Sequence, residues 1–336
     1  MTPFTYTRAH DPASAVAAVA GRPDAVFLAG GSNLVDHLKL GVATPGEVVD
    51  VTGLALTGIE DGSDGGLRIG AGVRNSDPAA DARVRERYPV LARALLAGAS
   101  PQIRHQASTA GNLLQRTRCV YFQDTTTPCN KREPGSGCSA IGGYERYAAI
   151  LGASPACVAT HPSDLAVALR VLDASVVVLG PDGERRLPFG ELHRLPGDDP
   201  SRDTTLAHGE LVTAVELPAP PPGARSTYVK VRDRASYAFA LVSVAALLVP
   251  SDAGDPRDAA QVRLAFGGVA HVPWRATRAE EALTGVRLTD EAIDAAVELE
   301  LEAATTSEGT AYKRAMLRGT VRAALRELST GERTLR

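Results

Sequence analysis

The segment LPAPPPGARS at 217–226 is the richest proline stretch of the chain, and it separates two halves of different pattern. Proline has a fixed φ and no backbone N–H, so such a run continues neither a helix nor a central strand and reads as a boundary. The chain has 336 residues, more than the roughly 250–300 over which one core keeps growing. Two domains are therefore expected, 1–222 and 223–336.

Upstream, strand and helix signals alternate. Asp11 and Pro12 supply an N-cap and first helical residue before an Ala/Val-rich helix, and AVFLAGGSNLVDHLKLGV reads as strand, glycine turn and helix beginning near Ser32. VVDVT at 48–52 and LRIGAGV at 67–73 read as strands, NSD at 75–77 opens a helix, and RYPVLARALLAG at 87–98 is a longer one. HPSDLAVALRVLDA is an amphipathic helix capped by Ser163 or Thr160, and ASVVVLGPDGERRLPF is a hairpin turned at Pro181-Asp182-Gly183. Downstream, TYVKVRDR, AFALVSVAALLV and QVRLAFGGVAH read as strands and the last sixty residues as helices. Strands followed by segregated helices define an α+β class.

A hydrophobic fraction of 44%, a charged fraction of 22% and a formal charge of -3 belong to an ordinary globular chain. They leave no positive field to draw nucleic acid or an anionic membrane. The longest apolar run, at 238–250, falls short of the ~20 residues that span a bilayer. No basic region leads into an apolar stretch at the N-terminus, so no signal peptide is expected. The expected location is the cytoplasm, or the periplasm by co-export with a signal-bearing partner.

LAGGSN leaves an apolar strand and enters a helix, which turns free backbone N–H groups toward a helix N-terminus, a setting that suits a phosphate. It matches neither G-x-G-x-x-G nor G-x-x-x-x-G-K-[ST], and a plain tight turn fits it as well. STAGNLLQ at 108–115, read as following an extended segment, repeats the character, with Ser108, Thr109 and Asn112 as hydrogen-bonding groups. Two such loops suit the two phosphates of a dinucleotide. In HPSDLAVAL, Ser163 and Asp164 open a helix, either as cap and dipole-favoured carboxylate or as a contact to a cofactor hydroxyl.

All four cysteines, Cys119, Cys129, Cys138 and Cys157, fall within 39 residues. The spacing C-x9-C-x8-C-x18-C contains no C-x-x-C pair and matches neither a zinc ribbon nor a bacterial ferredoxin run. The intervening sequence is rich in Pro, Gly, Ser and Thr, and an ordered loop of that length needs something to hold it. A metal or cluster, two disulfides, or four unrelated buried thiols all fit this spacing. Arg116, Arg118, Lys131 and Arg132 either offset the charge of a thiolate site or form a solvated basic loop.

AGGSNLVDHLKLG, STAGN, PSDLAVAL, YVKVRDRASYAFALVSVAA and FGGVAHVPWRA, in that order, resemble the FAD-binding medium subunits of the xanthine dehydrogenase and carbon monoxide dehydrogenase (molybdenum hydroxylase) family. The resemblance covers nearly the whole chain. NLLQRTRCVYF and PCNKREPGSGC look like the branch formed by the FAD and 4Fe-4S subunits of bacterial aldehyde oxidoreductases. It implies a two-subdomain FAD-binding fold of the PCMH or vanillyl-alcohol-oxidase type, with a cysteine-bearing insertion at 116–157, followed by a domain with an antiparallel sheet packed by helices. It further implies that Leu28, Ala29, Gly30, Gly31, Ser32, Asn33 and Leu34 wrap the FAD pyrophosphate and that Ser108, Thr109, Ala110, Gly111 and Asn112 form a second loop. His161, Ser163 and Asp164 form a third contact, with Asp164 near the ribityl chain, and Lys230 lies near the flavin ring. The four cysteines would ligate the 4Fe-4S cluster. Two positions depart from the family pattern: Ala110 stands at the first glycine of T-V-G-G-N, where an ordinary backbone conformation is then expected, and Ser32 stands where threonine or histidine is frequent.

The resemblance implies an oxidoreductase subunit with no catalytic residue for the substrate's C–H bond. A molybdenum-cofactor large subunit and a 2Fe-2S small subunit would complete a heterotrimer or a dimer of heterotrimers. Electrons would pass from the 2Fe-2S clusters through this chain to a small-molecule acceptor such as oxygen or a quinone. A free-standing flavin oxidase acting on its own alcohol or aldehyde, and a non-catalytic assembly subunit, are the alternative expectations.

Overall fold

Thr5–Arg8 (β1), Ala25–Leu28 (β2) and Glu47–Asp50 (β3) form a parallel sheet in the order β1-β3-β2. The computed structural model describes residues 1–251 and 255–331, so the last five residues of the expected second domain lie outside the described residues. Parallel strands require crossovers. Helix Pro12–Ala20 supplies one, started by a capping box in which Asp11 accepts from the Ser14 N–H at 2.8 Å and Ser14 Oγ accepts in return from the Asp11 N–H. Its Ala15, Val16 and Val19 pack on Val49 and Leu211.

Ile59–Asp61 (β4), Leu67–Gly70 (β5), Ser175–Gly180 (β6), Gly183–Pro188 (β7) and Leu211–Leu217 (β8) form an antiparallel sheet in the order β4-β5-β8-β6-β7. Gly183, at φ +116, makes the β6–β7 turn. The strand expectations omit β8, which is buried at its centre because it joins two hairpins distant in sequence.

Arg225–Val231 (β9), Val242–Pro250 (β10), Ala259–Gly267 (β11) and Trp274–Arg275 (β12) form an antiparallel sheet in the order β12-β11-β10-β9. Both of its faces are covered. Val244, Ala246 and Leu248 pack with Leu317, Val321 and Leu325 of helix Tyr312–Thr330, whereas Ala245 and Leu247 point the other way. This two-sided burial explains the long apolar run of β10. Among the described residues no helix is long and apolar enough to cross a membrane.

Helices Pro89–Ala97 and Asp164–Val171 lie between the two antiparallel sheets, and one apolar cluster runs from Leu67 and Val176 through Leu91 and Ala168 to Tyr228, Leu247 and Ala265. The proline segment thus separates sheets, while the core crosses it. Two local expectations need correction. The stretch before Ser108 is not extended but a helix, Pro101–Gln106, capped by Ser100 with Pro101 in its first turn. AFAL at 238–241 is not strand, and β10 begins at Val242.

Candidate functional site

A cavity of about 610 Å³ opens between the first half of the chain and the four-stranded sheet, within the roughly 300–1,000 Å³ usual for cofactor sites. The turn after β2 forms one wall. Gly31 has φ +74, a left-handed value that disfavours a side chain. Gly30 is required for space: a Cβ there would stand 2.2 Å from the Gln106 carbonyl oxygen. Gln106 Nε2 also donates to the Gly30 carbonyl at 3.1 Å, so the glycine turn lies directly against the end of helix Pro101–Gln106, just ahead of the second loop. Ser32 and Asn33 line the cavity, while Leu28, Ala29, Gly30, Gly31 and Leu34 shape the turn behind them. The helix begins at Leu34 rather than Ser32.

The second loop divides. Ser108 caps helix Thr109–Leu113, its Oγ accepting from the Gly111 N–H at 3.2 Å, and the Thr109 hydroxyl donates to the Val73 carbonyl at 3.0 Å. Both groups are buried and used within the fold, and Ala110 lies inside the helix without a positive φ. Gly111 and Asn112 reach the cavity.

His161, Ser163 and Asp164 line the opposite wall. Ser163 Oγ accepts from the Ala166 N–H at 3.0 Å, making Ser163 the helix cap, and donates to Asn112 Oδ1 at 2.7 Å. From the other side of the proline segment, Lys230 Nζ stands 2.7 Å from Asp164 Oδ2, with the two side chains 3% and 9% exposed. Tyr228, on the same face of β9, donates its hydroxyl to Asp164 Oδ1 at 2.5 Å. Burial and the Asp164 charge hold the Tyr228 pKa well above the ordinary phenol value, so it remains a donor.

Several buried polar atoms on the cavity residues have no partner among the described residues: Asn33 Nδ2, Asn75 Oδ1, Arg118 Nε and His161 Nε2. Unpartnered polar atoms in a buried wall call for a ligand with complementary groups. Donors beside Arg104, Arg118 and Arg234 suit an anionic, hydroxyl-bearing ligand such as FAD. His161 packs tilted against His193, ring centroids 4.3 Å apart, and is kept neutral, burial first and His193, Lys131 and His271 next driving its pKa well below the usual histidine value. Asn75 and Tyr228 were not legible as site residues. For Tyr228 a signal existed: it stands two positions from Lys230 in a strand, hence on one face with it.

All four cysteines are free thiols. Cys129 and Cys138 face each other in an antiparallel bridge, and Cys157 hydrogen-bonds Cys138. That bond, aided by backbone N–H groups of Ala140, Ile141 and Val158, lowers the Cys138 pKa to about 5 against the effect of burial, and it raises that of Cys157. Burial raises the Cys119 pKa, opposed by N–H bonds from Phe122 and Tyr121, and Cys129 and Cys138 lie within its electrostatic reach. Cys119 also lines the cavity. Among the described residues no three metal-ligating side chains stand close enough to hold an ion as they lie.

The loop has further supports. Asn130 Oδ1 accepts from the N–H groups of Gly135 and Gly137, and Arg132 donates to the carbonyls of Tyr121 and Phe122. Arg116 and Lys131 share Asp203 at 2.6 and 2.5 Å, and Arg118 pairs with Asp36 at 3.2 Å. Three of the four basic side chains near the cysteines are thus already paired with carboxylates.

The family described as the FAD binding domain in molybdopterin dehydrogenase matches residues 2–220, and the CO dehydrogenase flavoprotein C-terminal domain matches 227–328. The chain is 55% identical to the aldehyde oxidoreductase FAD-binding subunit PaoB of Escherichia coli (strain K12), over 84% of this chain and 87% of that one. It is 28% identical to the glyceraldehyde dehydrogenase medium chain of Sulfolobus acidocaldarius, over 86% and 84%. A solved chain of carbon monoxide dehydrogenase from Hydrogenophaga pseudoflava superposes with a TM-score of 0.74 at 25% identity, over 98% of this chain and 99% of that one. One of reconstituted CO dehydrogenase from Oligotropha carboxidovorans shares the fold at a TM-score of 0.75, 22% identity and 98% coverage of both. The chain belongs to the family of FAD-binding medium subunits of the xanthine dehydrogenase and carbon monoxide dehydrogenase type, the flavoprotein components of molybdenum-containing oxidoreductases.

Proposed function

We propose that the chain is the FAD and 4Fe-4S electron-transfer subunit of a multi-subunit molybdenum aldehyde oxidoreductase, with domains at 1–222 and 223–336. The observation that carries this reading is Cys119, which lines the cavity and lies within electrostatic reach of Cys129 and Cys138, so that thiols adjoin the flavin site. FAD supplies a centre that exchanges electrons in pairs or singly, and the cluster a one-electron centre. Asn33 and Arg118 donate to the pyrophosphate, with the backbone of Gly111 alongside, and Asn112 holds Ser163 in place. Asp164 and Lys230, locked to each other, border the ribityl chain and ring, and His161 meets the flavin with its unpartnered nitrogen. Backbone N–H groups already directed at the sulfurs of Cys119, Cys138 and Cys157 stabilise thiolates, and ligation requires the four thiols to turn toward one centre.

A large molybdenum subunit oxidises the aldehyde, a small 2Fe-2S subunit relays the electrons, and this chain hands them to a soluble acceptor. The complex works in the cytoplasm, or in the periplasm after co-export. Metal, sulfide and flavin analysis of anaerobically purified protein tests the reading. About four irons, four sulfides and one FAD per chain are expected, with iron lost in Cys119→Ser and Cys138→Ser. Stoichiometric zinc or two disulfides in iron-free protein refutes the cluster. Turnover of an aldehyde by the isolated chain refutes the subunit role.

A further inference from the structure

The chain has only four lysines among its 36 basic residues: Lys39, Lys131, Lys230 and Lys313. Lys39 is exposed, and the other three are buried. Lys131 is paired with Asp203 and Lys230 with Asp164, but among the described residues no ion pair involves Lys313. Lys313, 0% exposed, donates from Nζ to the carbonyls of Ala148 and Gly268, each at 2.7 Å. Ala148 and Gly268 both line the cavity, so the amine stands directly behind its wall.

Carbonyl oxygens accept hydrogen bonds from a neutral amine as well as from an ammonium, whereas a carboxylate partner would favour the charge. Lysine also differs from arginine in shifting readily when buried. Burial, and then the Arg146 guanidinium, lower the Lys313 pKa to about 7. The charged and titratable groups around it are all engaged elsewhere. Arg146 is bound to Asp233, which also accepts from Tyr147, and Tyr312 donates to the Arg146 carbonyl. Glu298 of helix Asp290–Leu301 is paired with Arg314 and Arg318, and the residues of β10 that face helix Tyr312–Thr330 are apolar.

We propose that Lys313 is a redox-linked proton acceptor of the flavin site. When FAD in the cavity takes up two electrons and one proton and so becomes an anion, the Lys313 amine takes a second proton from solvent and becomes ammonium. The electrons come from one-electron iron–sulfur donors, or from dithionite in the test. Charge behind the wall then stabilises the anion in front of it, and by linkage the anion raises the proton affinity of the lysine equally. The inference rests on the flavin reading above.

Its test uses the FAD-loaded full chain carrying lysine labelled with ¹³C at Cε, in which only four side-chain signals exist. The Lys313 signal is titrated through the neutral range with the flavin oxidised and then reduced. Its proton affinity should rise at least tenfold on reduction. An unchanged midpoint, or a signal charged throughout in both states, overturns the inference while leaving the flavin reading intact. Protein that holds no FAD overturns both. K313Q and K313R each keep a donor for the two carbonyls and differ in charge. K313Q should lose about tenfold of reduced-state stabilisation, about 30 mV for a two-electron couple, and K313R should keep it. Equal potentials in the two variants mean that Lys313 is only a clasp. If neither variant folds, the wild-type titration still decides, because among the described residues Lys313 is the one buried lysine without a carboxylate partner.

Discussion

Replacing Lys230 with methionine removes half of a buried ion pair and leaves Asp164 with Tyr228 as its one remaining side-chain donor among the described residues. At 2.7 Å and an effective dielectric of about 20, the gross attraction is about 6 kcal/mol. Most of it offsets the cost of taking both charges out of water, several kcal/mol per ion. Removing one partner leaves that cost standing, and about 3–5 kcal/mol of stability should be lost. Asp164→Asn strands the ammonium instead, although Lys230 keeps the Ala97 carbonyl at 3.1 Å. The double substitution removes both charges, so its cost should fall below the sum of the two singles by about 2 kcal/mol. Urea unfolding of flavin-free protein supplies the global values. Because the fold holds more than one apolar core, amide hydrogen exchange in helix Asp164–Val171 and β9 should report the local loss. Single-variant costs below about 1 kcal/mol, or additivity within about 0.5 kcal/mol, would refute the reasoning.

Gly30→Ala should weaken FAD binding about tenfold or more, because its Cβ meets the Gln106 carbonyl at 2.2 Å and the loops must separate at a cost of about 1–3 kcal/mol; unchanged flavin affinity by fluorescence titration rejects this. His271 is buried with both ring nitrogens unpartnered among the described residues, and burial, then Lys131, lower its pKa to about 3. Unfolded histidine takes a proton near pH 6.5, so between about 6.5 and 3 the unfolded chain binds a proton that the native one does not. Stability from this residue is complete above pH 6.5 and falls by about 1.4 kcal/mol for each unit below it. His271→Gln should flatten the profile by one proton over that range, and an unaltered slope would exclude the residue.

Much of the local structure was legible. Asp11 with Pro12, Ser163 at its helix, and Gly183 in its hairpin act through hydrogen bonds and dihedral limits spanning a few residues, so their sequence signals survive into the fold. The cavity residues were only partly legible. Ser108 and Thr109 have the right chemistry for a ligand, yet a short helix turns them toward Gly111 and Val73. Strand β8 escaped notice because its partners β5 and β6 lie far away along the chain.

By itself the sequence determined the α+β class, the glycine turn at 30–31 and the family, because these depend on short-range sterics, patterning and motif order. Only the tertiary structure decided that Asp164 meets Lys230 across the proline segment, that Cys119 belongs to the cavity wall, and that Lys313 stands behind it with no counter-charge among the described residues. Burial and charge pairing depend on which faces pack together. No spacing along the chain encodes them.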